Sequence, residues 1–407
     1  MKKILIIGGY SCKNPGDEAI LKSTIYRIKE FFPDAFFYIW TDQRNFTLNF
    51  DREIPFEIIH WNIFPDILRV KKLNAVLRAF YNNFFPFSRY LLAPFFSNEK
   101  FNKVVLDCNA VIAVGGGYLT SHYSVKEINY LANTVKRLNK PFYLIGQTLG
   151  PFYRKYHLLM ADEIFQYADK IVIRDVDSMS EVYRYKQKVT IGSDDAILFE
   201  PNNKKVDEFL ENSLLRPSNS ELTLNIGFNL RIWGDSRESY PQLARSLSKI
   251  TALLPEYKIR FVFVPMEVSN NCDDRIEGRY FYGLLDKQID FVILENPLTV
   301  EQIYGLIGHL DFFIGMRLHG LVFALSNAVP SIGLYYEDYY ERKIRGLFEV
   351  FDFNNYSLML KEVDNLDQMF YQMFLKKDLF REKLRDQKNK IIEKQREILK
   401  EITDCIK

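Results

Sequence analysis

The sequence predicts an α/β protein made of two doubly wound, Rossmann-like domains, with a cleft between them and helices at the C-terminus. Three observations carry that expectation. Short, mostly apolar runs ending in glycine or a polar turn recur along the chain, at residues 4–7, 111–114, 142–145, 171–173, 224–228, 259–264, 291–294, 312–314 and 331–334. Helical patterns lie between many of them, such as residues 18–31 and 126–138. A polar, turn-rich break, from Glu200-Pro201-Asn202-Asn203 to Arg216-Pro217-Ser218-Asn219, divides the runs into two sets. Apolar strands alternate with helices where a parallel sheet is covered on both faces. A chain of 407 residues is also long for one core. The expected domains are residues 1–205 and 222–360. Residues 361–407 read as one or two charged, amphipathic helices packing back on the body.

Composition bounds the function. The 54 basic and 52 acidic residues leave a net charge of +2, which gives no global attraction for nucleic acid, so any electrostatic function is local. Aromatic residues are abundant, with 34 Phe and 25 Tyr. Cys12, Cys108, Cys272 and Cys405 are far apart and fit a reduced, cytoplasmic protein. No apolar run reaches the roughly 20 residues of a membrane span. The opening residues 1–7 lead quickly to Gly8-Gly9 and read as a first buried strand rather than a signal peptide.

The first strand ends in Gly8-Gly9, and the turn runs on to Asn14-Pro15-Gly16-Asp17-Glu18. The spacing matches neither a P-loop nor a dinucleotide fingerprint. Asp17 and Glu18 fall where a helix begins, so they serve either the helix dipole or a ligand at the strand's carboxyl end. Gly115-Gly116-Gly117 follows the run at 111–114 as a loop, open to close approach by a ligand or a helix. Gln147, in Gly146-Gln147-Thr148, is placed to bond a sugar hydroxyl or to brace a turn. Asp194 and Asp195 are adjacent, so in extended backbone they face opposite ways and cannot act as a pair. Arg231 leaves the first strand of the second domain as a candidate anion ligand.

The most informative segment is Gly315-Met316-Arg317-Leu318-His319-Gly320. It joins an apolar strand to an apolar helix. Arg317 and His319 sit two apart and are expected on one side of the chain. A fixed cation and an imidazole would then converge beside backbone N–H groups that favour anions. Beyond it come Tyr335, Tyr336, Tyr339 and Tyr340, with Lys343 as a further cation or part of a solvated face. His60, His122, His157 and His309 show no metal-ligand spacing, and no metal motif of the kind that holds a nucleotide diphosphate is visible.

Taken in order, these residues resemble the polysaccharide pyruvyl transferases of bacterial envelope and capsule synthesis. The resemblance runs through Asn14-Pro15-Gly16-Asp17-Glu18, Gly115-Gly116-Gly117, Gly146-Gln147 with Gly150-Pro151, Arg174-Asp175 with Ser178, residues 192–199, Asn229-Leu230-Arg231 and Arg317-Leu318-His319-Gly320. It implies a GT-B-like fold. The implied reaction takes phosphoenolpyruvate and sets a pyruvate ketal across two hydroxyls of a sugar, releasing phosphate. The sugar belongs to a cell-surface polysaccharide or its lipid-linked precursor. Phosphoenolpyruvate is a co-substrate, and no cofactor or metal is implied.

The resemblance gives the donor to Arg317, Arg231 and His319, with Leu318 and Lys343 beside them. The tyrosine-rich residues between Pro330 and Lys343 depart from the family pattern. His319 is the expected acid/base. Asn14, Asp17, Glu18, Gly116, Gly117, Gln147 and Asp195 are expected on the acceptor side. A lipid-linked acceptor would bring the protein to the inner face of the cytoplasmic membrane. The aromatic stretch 78–101 is then a candidate contact, its alternative being a core-facing helix pair. The rival readings are a GT-B glycosyltransferase using a nucleotide sugar and a non-catalytic sugar- or lipid-binding protein.

Overall fold

The structure, a computed structural model, describes residues 1–8, 14–41, 48–50, 53–60, 99–123, 125–211, 222–269 and 272–406. The aromatic stretch lies outside them up to residue 98, as do Cys12 and most of the polar break, residues 212–221.

The first sheet has eight strands: β1 (Lys3–Ile7), β2 (Phe36–Thr41), β3 (Phe56–His60), β4 (Ala110–Ala113), β5 (Gly116–Leu119), β6 (Phe142–Leu149), β7 (Lys170–Ile173) and β8 (Val189–Ile191). Their order is β3-β2-β1-β4-β6-β7-β8, with β5 beside β6. Every pairing is parallel. Residues 4–7 and 110–113 are fully buried, as a central parallel strand covered on both faces requires. The glycine run expected as a loop at 115–117 instead feeds β5, where Gly116 pairs with Gln147.

The second sheet holds β9 (Thr223–Asn229), β10 (Lys258–Phe263), β13 (Asp290–Ile293), β14 (Phe312–Gly315), β15 (Ser331–Tyr335) and β16 (Ser357–Met359). Its order is β13-β10-β9-β14-β15-β16, again all parallel. A short antiparallel ribbon, β11 (Val268–Ser269) with β12 (Cys272–Asp273), leaves the end of β10. The order reverses between β9 and β14, so the carboxyl ends of these two strands flank the switch point where doubly wound sheets bind ligands. Part of the aromatic excess covers this sheet: Phe228 meets Phe281 at 5.1 Å and Phe291 at 6.0 Å, and Phe312 meets Phe370 at 4.9 Å.

Contacts divide the chain into two compact units. One holds Met1–Ser11, Thr24–Gly192 and Glu397–Lys407, and the other holds Cys12–Ser23 and Ser193–Arg396. The first half of the helix Pro15–Phe31 therefore counts with the second sheet. Two helices end the chain, Leu366–Leu375 and Lys377–Cys405. The longer one buries Phe380, Leu384, Ile391, Ile398 and Ile402, the stripe of an amphipathic helix. Among the described residues no helix is long and apolar enough to cross a membrane.

Candidate active site

The site forms at the carboxyl ends of β9 and β14. Asn229 closes β9 and is fully buried. Its Oδ1 accepts hydrogen bonds from the N–H groups of Met316 (2.9 Å) and Arg317 (3.0 Å), so β9 fixes the turn leaving β14. Gly320 keeps the clasp tight, since a Cβ there would overlap the Asn229 amide. Arg317 then serves as N-cap in extended geometry without a side-chain cap, and the helix Leu318–Ser326 begins. The first N–H groups of such a helix have no intrahelical acceptor.

Arg317 and His319 do not converge, because their side chains have different partners. The Arg317 guanidinium is buried against Asp274, which takes bonds from Nε (2.9 and 3.1 Å) and from Nη2. Nη1 bonds Glu267 (3.1 Å), and Nη2 also reaches Cys272 Sγ (3.2 Å). Burial alone would lower the pKa of the guanidinium. The charge of Asp274, its hydrogen bonds and Glu267 outweigh that and raise the pKa above the ordinary arginine value. Breaking a buried pair of this kind costs about 3–5 kcal/mol. Arg317, expected as a donor clamp, is held in this way and locks the β14 turn onto the helix Asp274–Tyr282.

His319 lies at the second position of its helix, its side chain 12% exposed. The ring packs against Gly16, where any Cβ would overlap the imidazole. Nε2 stands 3.7 Å from Asp194 Oδ2 and has no hydrogen-bond partner among the described residues. Asp194 is itself buried and caps the 3-10 turn Asp195–Leu198 by accepting from Ala196 N (2.9 Å). Of the two adjacent carboxylates, Asp194 faces the imidazole. Asp195, expected on the acceptor side, takes a bond from Gln395 Nε2 (3.1 Å).

Gly16 is positioned by local rules. Asn14 accepts from the Gly16 N–H (2.9 Å) as an N-cap, and Pro15 opens the helix where no N–H is needed. Glu18 pairs with the buried Lys22 (2.7 Å), which also pairs with Glu301 (2.7 Å). Asn14 and Glu18 thus have structural duties, while Asp17 sits in the helix's acidic first turn.

Gln147 is a brace rather than a sugar contact. It is fully buried, and its Nε2 bonds Val114 O (2.6 Å), Tyr118 Oη (2.9 Å) and Ile145 O (3.1 Å). Gly116 and Gly117, drawn into β5, lie in the same unit as Gln147 and not in that of His319.

Arg231 keeps its cation available. Two residues past β9, its guanidinium lies 5.3 Å from both the Trp233 and Tyr340 rings and forms no ion pair among the described residues. Trp233 is held by Nε1–H donation to Glu337 (2.8 Å). Lys343 approaches the other side of this cluster, 4.1 Å from the Tyr339 ring and 5.8 Å from Tyr340. Leu318 is half-buried at the helix start. Among the described residues no three His, Cys, Asp or Glu side chains group as a metal set. Sequence reasoning named Asp194 without tying it to His319, and missed Asp274, Glu267 and Trp233. The acidic pair before the helix at 274 was the one visible signal, and nothing local tied it to Arg317.

The geometry defines a protein of the GT-B class: two parallel-sheet α/β domains, with Arg231 and His319 following the two strands that flank the switch point of the second. Solved structures agree on that fold. A trehalose-phosphate synthase (UDP-forming) from Burkholderia vietnamiensis matches with a TM-score of 0.55 at 9% identity, covering 96% of each chain. UDP-GlcNAc 2-epimerase from Methanocaldococcus jannaschii matches with a TM-score of 0.54 at 12% identity, covering 92% of each. The family model for polysaccharide pyruvyl transferase matches residues 14–339, and the chain belongs to that family. The amylovoran biosynthesis protein AmsJ of Erwinia amylovora is 22% identical over 366 residues, covering 82% of this chain and 83% of that protein.

Proposed function

We propose that the protein transfers the enolpyruvyl-derived group of phosphoenolpyruvate to two hydroxyls of a sugar in a cell-surface polysaccharide or its lipid-linked precursor. The observation that carries this reading is the Arg231 guanidinium, set against two touching aromatic rings without an ion pair among the described residues, in the unit that holds His319. Phosphoenolpyruvate presents a carboxylate and a phosphate. Arg231, Lys343 and the N–H groups opening the helix Leu318–Ser326 offer cationic and backbone donors for both.

In the reaction the enol carbon gains a proton, and the neighbouring carbon becomes oxocarbenium-like. Two sugar oxygens form bonds to it, and its bond to the phosphate oxygen breaks. One hydroxyl proton ends on the new methyl group and the other leaves with phosphate, so atoms balance. His319 moves the proton between hydroxyl and enol carbon. Asp194 stabilises the imidazolium formed on the way, as a carboxylate behind a catalytic histidine does. Asp17 contacts the acceptor. Arg317 holds the turn that aims His319.

Phosphate release from phosphoenolpyruvate, measured with a panel of glycan acceptors, tests the proposal. The native chain should release phosphate only when acceptor is present. H319A should abolish release with the fold intact, and R231A should raise the KM for phosphoenolpyruvate at least tenfold. Wild-type turnover in H319A would remove His319 from the chemistry. Consumption of a nucleotide sugar in place of phosphoenolpyruvate would make the protein a glycosyltransferase.

A further inference from the structure

In the first unit, the helix that follows β6, Lys155–Tyr167, packs on the helix Val125–Arg137 and buries His157, Met160, Ala161, Ile164 and Phe165. Its solvent side breaks the rule for a surface helix, whose outer face is polar. Lys155, Leu158, Leu159 and Asp162 share that outer face by their helical spacing. Leu158 is 47% exposed and Leu159 46%. Just before the helix, Tyr153 is 70% exposed, its ring 5.6 Å from that of His122.

A second segment of the same unit widens the stripe. The 3-10 turn Tyr183–Lys188 lies alongside the helix, since Arg184 Nη1 donates to Asp162 Oδ1 (3.1 Å) and Tyr185 Oη donates to the same atom (2.9 Å). Tyr183 is 60% exposed, and Lys186 Nζ lies 5.0 Å from its ring. Four large apolar or aromatic side chains, Tyr153, Leu158, Leu159 and Tyr183, thus stand in solvent with Arg154, Lys155, Arg184 and Lys186 exposed among them. Between residues 150 and 188 the exposed acidic side chains are Asp169 and Asp177. Asp169 sits at the far end of the strands, where it accepts from the Phe142 N–H that opens β6 (2.8 Å). The positive charge is felt inward as well: burial, then the Arg154 charge, push the Lys126 pKa down to about 8.

Exposed apolar side chains set among charges of one sign mark an interaction surface. The charge selects the occupant. A second copy docking about a two-fold axis would bring the same cations face to face. An anionic bilayer complements them. Leucines then reach the acyl boundary, tyrosine rings sit at the headgroup level, and long basic side chains keep their charge among the phosphates. We propose that this stripe, from Tyr153 along the helix to Tyr183 and Lys186, rests on an anionic membrane surface. It stands apart from the transfer reading, because neither substrate takes part in the binding.

Co-sedimentation of the full chain with vesicles, without substrate, is the test. Vesicles of equal parts phosphatidylglycerol and phosphatidylcholine should bind the chain at least tenfold more tightly than phosphatidylcholine alone. L158S with L159S, and separately R154Q with R184Q, should each weaken binding to the anionic vesicles about tenfold or more. The replaced side chains face solvent, so circular dichroism should hold, and phosphate release with a soluble glycan acceptor should stay native. No binding to anionic vesicles overturns the proposal, and so does binding indifferent to either pair. An equal loss from K390Q with K394Q, exposed lysines of the helix Lys377–Cys405, also overturns it, since net charge alone would then drive binding. A concentration-dependent dimer that L158S with L159S abolishes, without vesicle binding, assigns the stripe to a second copy instead. Stripe-dependent vesicle binding by a protein that turns over no phosphoenolpyruvate overturns the transfer reading alone.

Discussion

Asp194 shows how one side chain can hold two duties, capping a 3-10 turn through Oδ1 and facing His319 through Oδ2. Asn in its place keeps an acceptor for the Ala196 N–H and loses the charge. D194N should therefore lower kcat about tenfold or more, a loss of about 1.4 kcal/mol in transition-state stabilisation. The KM for phosphoenolpyruvate and the melting temperature should stay near wild type. A wild-type kcat would reduce Asp194 to a cap. This residue marks the limit of legibility at the finest scale. The sequence showed two adjacent carboxylates and the rule that they diverge, but which one met the imidazole was set by a partner 125 positions along the chain. The buried partner of Arg317 was hidden for the same reason: its carboxylate, Asp274, is 43 positions away.

At the scale of elements, the strands were legible because a parallel strand buried on both faces needs an unbroken apolar run. β4, β9 and β14 lie within a residue or two of the runs that announced them. β3, β8 and β16 were not, being short edge strands with only part of their surface to bury, and β2 went unread although it is interior. β5 was read as a loop because its two glycines carry no apolar signal. The start of the helix Pro15–Phe31 was legible from its cap, its proline and its acidic first turn. That its second residue would be the wall of the His319 ring was not. G16A tests the wall. Alanine is the better helix former, so helix content should hold, while the methyl group displaces the imidazole and kcat falls about a hundredfold, or about 2.7 kcal/mol. A G16A enzyme with native kcat would show that the ring can move aside without loss.

For the whole molecule, a net charge of +2 conceals where charge is concentrated. Lys126 has its pKa depressed from 10.5 to about 8, so between those values the unfolded chain binds the proton and the folded chain does not. Stability therefore rises with pH across that window, and below about pH 8 the folded protein carries the whole cost of the charge. K126M should stabilise the ligand-free chain at pH 7 by about 1 kcal/mol, after discounting for the side chain's partial exposure. It should give no gain at pH 11, and the comparison is made by denaturant unfolding at the two values. Lower stability of K126M at pH 7 would contradict the origin assigned to the shift.

Residues 12–23 group with the second sheet although two hundred residues separate them from it in sequence. A gene cut between Gly192 and Ser193 would yield a C-terminal fragment whose histidine lacks its glycine wall. Exchanging the second unit at that point, in the laboratory or over evolutionary time, would therefore break the site unless the amino-terminal twelve-residue piece travelled with its distant host.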